Sequence, residues 1–132
     1  MSKIKCPFCN LDRKKDKIVF ETKNFIFLQS IKPVIEGHSL LIPKRHYLEE
    51  VEIPMNLWRE YRQCNQEAFE YFKKTYQRLP LVFINAVQDL SVNHLHKHFI
   101  PGIFGKYGVE QALRNFIGRK QFRQSPVGRR SI

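Results

Sequence analysis

The segment Ser91-Val92-Asn93-His94-Leu95-His96-Lys97-His98-Phe99-Ile100-Pro101 carries three of the chain's five histidines, at every second position. Side chains of a β-strand alternate faces with period two. A strand over Val92–Ile100 therefore puts His94, His96 and His98 in a row on one face, with Leu95, Lys97 and Phe99 on the other. A helix would turn successive imidazoles of this set apart by about 200° and make no site. Pro101 supports the extended reading, because it ends the strand and biases Ile100 toward the β region. Such a row can ligate a transition metal through neutral nitrogens. It can also hold one nucleophilic imidazole between two hydrogen-bond donors. A solvated, His-rich strand face is the bland alternative, and spacing alone does not choose.

The rest of the chain narrows the setting. Its 132 residues, 42% hydrophobic and 13% aromatic, suit one soluble domain with a real core. No apolar run reaches the length of a membrane span, and Met1 to Pro7 has no signal-peptide core. Three cysteines, two of them in Cys6-Pro7-Phe8-Cys9, do not make a disulfide framework; they suit a reducing, cytoplasmic setting and a metal or thiol role. The formal charge of +11 attracts polyanions such as nucleotides, nucleic acid or acidic lipid heads. After Glu110 there is no acidic residue, whereas Arg114, Arg119, Lys120, Arg123, Arg129 and Arg130 follow.

In chain order, 17–21 and 24–29 read as a β-hairpin, 39–42 as a third strand ended by Pro43, and 81–86 as a fourth. From Pro54 to about Gln77, Leu57, Tyr61, Cys64, Ala68 and Phe72 recur at helical spacing. Pro54 suits the first turn and Pro80 marks the end. A short second helix is expected over 109–117. Residues 1–118 form the domain and 119–132 a basic tail. Strands on both sides of one long helix predict an α+β domain on a mainly antiparallel, five-stranded sheet.

The run His94-Leu95-His96-Lys97-His98-Phe99-Ile100 resembles the signature of the histidine-triad superfamily of nucleotide hydrolases and transferases. The block Gly37-His38-Ser39-Leu40-Leu41-Ile42-Pro43-Lys44-Arg45-His46 resembles the family's other landmark strand, and Cys6-Pro7-Phe8-Cys9 its zinc-containing branch. The resemblance spans roughly residues 4–104 and implies a HIT-like fold, a homodimer and a purine nucleotide substrate. It implies a structural zinc on Cys6, Cys9, His46 and His94. It makes His96 the nucleophile that attacks an α-phosphate, with His98 bonding the phosphate or leaving group and His38 beside them. By the same resemblance Ser91 matches the hydroxyl position that contacts the phosphate, and Asn85 is a candidate for the polar residue on the adjoining strand.

Three departures stand out. Asp89-Leu90-Ser91 replaces the usual Gly-Gln-Ser/Thr run. Ser30 replaces a ribose-binding Asp or Asn, with Ile31 beside it as a base-pocket wall or a core residue. Lys97 replaces an apolar residue, so its ammonium must snorkel, pair or face an interface. The expected activity is hydrolysis of a nucleoside phosphoramidate, dinucleoside polyphosphate or related ester. The alternatives are an aprataxin-like deadenylase that meets nucleic acid through the basic tail, and a zinc-stabilised nucleotide- or RNA-binding module without turnover.

Overall fold

A computed structural model describes residues 6–85, 92–102 and 114. The chain divides into a first unit, Met1–Pro101, and a second, Gly102–Ile132. Strands β1 (Ile18–Glu21), β2 (Phe25–Gln29) and β3 (Ser39–Pro43) precede helix α1 (Trp58–Tyr76), and β4 (Pro80–Ile84) and β5 (Lys97–Pro101) follow it. They form one five-stranded sheet in the order β1-β2-β3-β5-β4, with every neighbouring pair antiparallel. This is the α+β architecture expected from the sequence. The helix expected over 109–117 and the tail over 119–132 lie outside the described residues, apart from a helical Arg114.

Both faces of the sheet are covered, which is why Phe25 to Leu28 are buried without a break. Phe25, Phe27, Leu41 and Phe99 share one face with Tyr61, Cys64, Ala68 and Phe72 of α1. Those helical residues lie three or four apart, on one side of the helix. Truncating a buried phenylalanine such as Phe72, 0% exposed, to alanine costs about 3–5 kcal/mol. Ile26, Leu28, Leu40 and Ile42 share the other face, where Phe8, Leu11 and Ile18 pack on them.

Several boundaries differ from the sequence reading. Helix α1 starts at Trp58 because Pro54 is extended (ψ 147°) and opens a 3-10 turn, Met55–Leu57. It stops at Gln77, which is left-handed (φ 56°) and donates its N–H to Lys73 O at 3.1 Å. Pro80 instead opens β4, a position that tolerates its missing N–H. Pro43 is the last residue of β3 rather than its terminator.

The largest difference concerns β5, which begins at Lys97 and not at Val92. Residues 92–94 bend, and His94 N–H reaches back to Val92 O at 2.8 Å. Leu95 N–H goes to Tyr47 O at 2.7 Å, outside the sheet. Only His98 of the triad therefore stands on the ladder, while His94 and His96 stand on its irregular approach.

The pairing of β3 with β5 positions the site. Leu40 faces His98 and Leu41 faces Lys97. Because the strands run antiparallel, the start of β3 serves His98, and the end of β3 and the turn after it serve His94. Gly37 makes the turn into β3 with φ +95°. A Cβ there would stand 2.8 Å from Pro101 Cγ and from Tyr76 Cζ, so both backbone conformation and space require glycine.

Candidate functional site

Cys6, Cys9, His46 and His94 converge. Their ligand atoms lie within 4.8 Å of one another. Cys6 Sγ and Cys9 Sγ are each 3.4 Å from His94 Nδ1. Cys9 Sγ and His94 Nδ1 are each 3.1 Å from His46 Nδ1. Around a tetrahedral zinc with bonds of about 2.0–2.3 Å, neighbouring donors stand about 3.3–3.8 Å apart. The 3.4 Å distances fall in that range and the 3.1 Å ones just below it, and the soft Cys2His2 set suits such an ion. Asn10 closes the cysteine turn, its backbone N–H and its side chain both donating to Cys6 O, at 3.1 and 3.0 Å.

The protonation of His94 fits the same role. Its Nε2–H donates to Pro43 O at 2.8 Å, so Nδ1 keeps its lone pair for a metal. Burial pushes its imidazole down to about 4, against the Pro43 carbonyl and helped by His46 and His96. The ring stays neutral and ligating at physiological pH.

The next two imidazoles are also set by hydrogen bonds. His96 Nδ1 donates to His94 O at 2.7 Å, which leaves the lone pair on Nε2. The Val34 N–H donates to His38 Nδ1 at 3.2 Å, so His38 carries its hydrogen on Nε2. That N–H meets His98 Nδ1 at 2.9 Å, which puts the His98 hydrogen on Nε2. The outcome is one imidazole with a basic nitrogen beside one with an N–H, their ring centres 4.9 Å apart. His38, His96 and His98 are 3%, 3% and 5% exposed. A nucleophile next to a donor, both desolvated, is the equipment for displacement at an electrophilic centre.

The remaining sequence candidates fall at different distances from this arrangement. Ser30 follows β2, and its N–H bonds His38 O at 2.9 Å while Oγ accepts Lys32 N–H at 3.2 Å. Ile31 is 74% exposed, so it is not a core residue. Asn85 directly follows β4, next to Ile84, whose partner Lys97 adjoins His96. Ser91 and the Asp89-Leu90 departure lie outside the described residues. Lys97 pairs: its ammonium donates to Asn65 Oδ1 at 2.7 Å and lies 3.8 Å from Glu50 Oε2.

Sequence reasoning missed two aromatic neighbours. Phe8, inside the cysteine turn, sets its ring centre 5.2 Å from that of His96 and 5.8 Å from that of His94. Phe83 stacks on His98 at 4.7 Å with the planes 8° apart. The signal for Phe8 was its place between two metal-ligand candidates. For Phe83 it was a strand register that no local pattern encodes.

Comparison with known proteins agrees with this geometry. The HIT domain family model matches residues 12–105. An uncharacterized HIT-like protein of Methanocaldococcus jannaschii is 30% identical over 100 residues, 73% of this chain and 78% of its own length. Adenosine 5'-monophosphoramidase of Saccharomyces cerevisiae is 28% identical over 112 residues, 79% of this chain and 66% of the yeast protein. Among solved structures, a Zn-bound histidine triad family protein of Mycobacterium smegmatis superposes with a TM-score of 0.67 at 20% identity, covering 93% of this chain and 99% of that one. With its family-model match, its fold and its paired histidine clusters, this chain belongs to the histidine-triad (HIT) family.

Proposed function

We propose that this protein hydrolyses or transfers a nucleotide at its α-phosphate through a covalent nucleotidyl intermediate on His96. The observation that carries the reading is the tautomer pattern: His94 O holds the His96 Nδ1–H, and His38 holds His98 as an Nε2–H donor. His96 Nε2 would form a P–N bond as the bond from phosphorus to the leaving group breaks. His98 Nε2–H would give its proton to that leaving group. Water would then attack phosphorus, returning a proton to His98 and the electron pair of the P–N bond to His96. Positioning and charge stabilisation dominate such a transfer.

Substrate contacts follow from the same surface. Ser30 and Ile31 would face the ribose and base, and Ser91 and Asn85 the phosphate. The family's phosphoramidase relative in yeast favours a purine nucleoside phosphoramidate among the substrates. Cys6, Cys9, His46 and His94 would hold a structural zinc, as the zinc-bound mycobacterial relative suggests. When bound, that ion supplies a fixed positive centre that ties the N-terminal turn to the His94 ring. A homodimer is part of this reading. Strand β4 edges the described sheet, and Pro80 to Asn85 carry no charge that would blunt it.

Incubation with adenosine 5'-phosphoramidate, diadenosine tetraphosphate and a 5'-adenylated oligonucleotide tests the reading. Release of AMP from either small nucleotide supports it. Release from the oligonucleotide alone transfers the activity to nucleic-acid ends. No release from any of the three, with nucleotide still bound, leaves a binding module.

A further inference from the structure

Between the two reactive imidazoles stands Lys97, whose side chain points to the opposite face of the sheet, toward α1. Its ammonium donates to Asn65 Oδ1 at 2.7 Å and lies 3.8 Å from Glu50 Oε2. It also sits 5.3 Å from the centre of the Tyr61 ring and 5.9 Å from that of Phe99. Each partner is itself held. Asn65 Nδ2 donates to Tyr61 O at 2.8 Å, which turns Oδ1 toward the lysine. The Tyr61 hydroxyl donates to Glu50 Oε2. Glu50 opens a 3-10 turn, Glu50–Glu52, and Glu52 Oε1 accepts the N–H groups of Leu48 and Glu49 just before it.

A mostly buried ammonium is a poor way to gain stability. Burial pulls its pKa down, and Glu50 only partly opposes this. An apolar residue of similar volume would serve the core as well or better. The geometry gives another use for the charge. Lys97 is the first residue of β5 held by the ladder, and two residues earlier the Leu95 N–H is held by Tyr47 O. His96 lies between these two anchors, directly before β5 begins. Since 96 and 98 project opposite to 97 in an extended chain, fixing the lysine head fixes the rotation of the backbone that aims both imidazoles.

We propose that Lys97 is a positioning residue for His96, acting from the far side of the sheet through Asn65 and Glu50. The inference rests on the catalytic reading above, so its test also includes a measurement that does not need turnover. Lys97→Met in the full, metal-loaded chain should melt at or above the wild-type temperature, because an apolar isostere replaces a buried charge. Its kcat should fall by between about tenfold and about a hundredfold, the range expected when a reacting group is slightly misaimed. KM should stay within about twofold, because ground-state binding is untouched. Long-range 15N spectra of the imidazoles should show His96 shifting from a single Nδ1–H tautomer to a mixture. Asn65→Leu should show the same shift to a smaller degree, and serves as the test if Lys97→Met does not fold. Wild-type kcat in Lys97→Met, or an unchanged His96 spectrum in the variant that folds, overturns the proposal. A wild type without turnover removes the catalytic reading, yet the spectrum still decides whether Lys97 orients His96.

Discussion

Replacing His38 by phenylalanine keeps a flat ring in a site that is 3% exposed and deletes one N–H. That N–H meets His98 Nδ1 at 2.9 Å, while the other ring nitrogen accepts from Val34 at 3.2 Å. Depriving a buried acceptor of its donor costs about 1–3 kcal/mol. The Val34 amide is half-buried and can turn to water, so it adds little. The expected loss of unfolding free energy is therefore about 1–3 kcal/mol. The effect on rate has a separate origin. Without the His38 donor, the proton of His98 is no longer confined to Nε2, and the hydrogen facing the leaving group is lost in the molecules that move it to Nδ1. Removing one preorganised donor costs about a hundredfold or more in kcat, and KM should change little because the loss falls on the transition state. Steady-state kinetics, urea melts and imidazole 15N spectra read the three effects on one sample. A kcat near wild type together with an intact Nε2–H tautomer on His98 would falsify the relay from Val34 through His38 to His98.

Other expectations follow from other parts of the molecule. Protein purified without chelator should carry about one zinc per chain, as a closed four-ligand site requires; Cys6→Ser should lower both metal content and melting temperature, and a metal-free wild type of equal stability would remove the site. Glu60 accepts from Thr22 Oγ1 at 2.6 Å and from Asn24 N and Nδ2 at 2.7 Å each. Burial alone would raise its pKa, yet these bonds hold the carboxyl below its usual value. A depressed folded pKa means that the stabilisation is complete above the unfolded value of about 4.3 and lost as pH falls through the folded one. Glu60→Gln should therefore flatten the acid limb of a stability-against-pH curve, and an unchanged limb would show that Glu60 does not shape it. Truncation after Gly118 removes Arg119, Lys120, Arg123, Arg129 and Arg130. It should spare turnover of a small nucleotide and weaken salt-sensitive oligonucleotide binding; unchanged affinity would make the tail a solubility feature.

The architecture and the Cys6–Cys9 half of the donor set were legible in spacing, whereas His46 and His94 entered as ligands only through the family resemblance. Period-two histidines, a Cys-x-x-Cys turn and a helical stripe from Leu57 to Phe72 each survive as local patterns. What the sequence could not expose is set by contacts between distant residues. Extending β5 back to Val92 followed the alternation, but Tyr47 O claims the Leu95 N–H and the strand starts at Lys97. The tautomers of His96 and His98 depend on a carbonyl at 94 and an amide at 34, and backbone groups leave no mark in a residue pattern. Lys97 looked like a fault in an apolar position. Its answer lies in Asn65 and Glu50, 32 residues and 47 residues away in sequence. Helix α1 ends through a left-handed Gln77, where no glycine announced a stop and Pro80 drew the eye instead.

The proposed mechanism requires His96 Nε2 to become bonded to phosphorus. Rapid quenching of the protein with α-phosphate-labelled nucleotide, followed by peptide mapping, measures this directly. An acid-labile, base-stable label is expected on His96, still formed when His98→Ala slows the reaction, and absent in His96→Ala. Label on another residue, or wild-type turnover by His96→Ala, would contradict that mechanism.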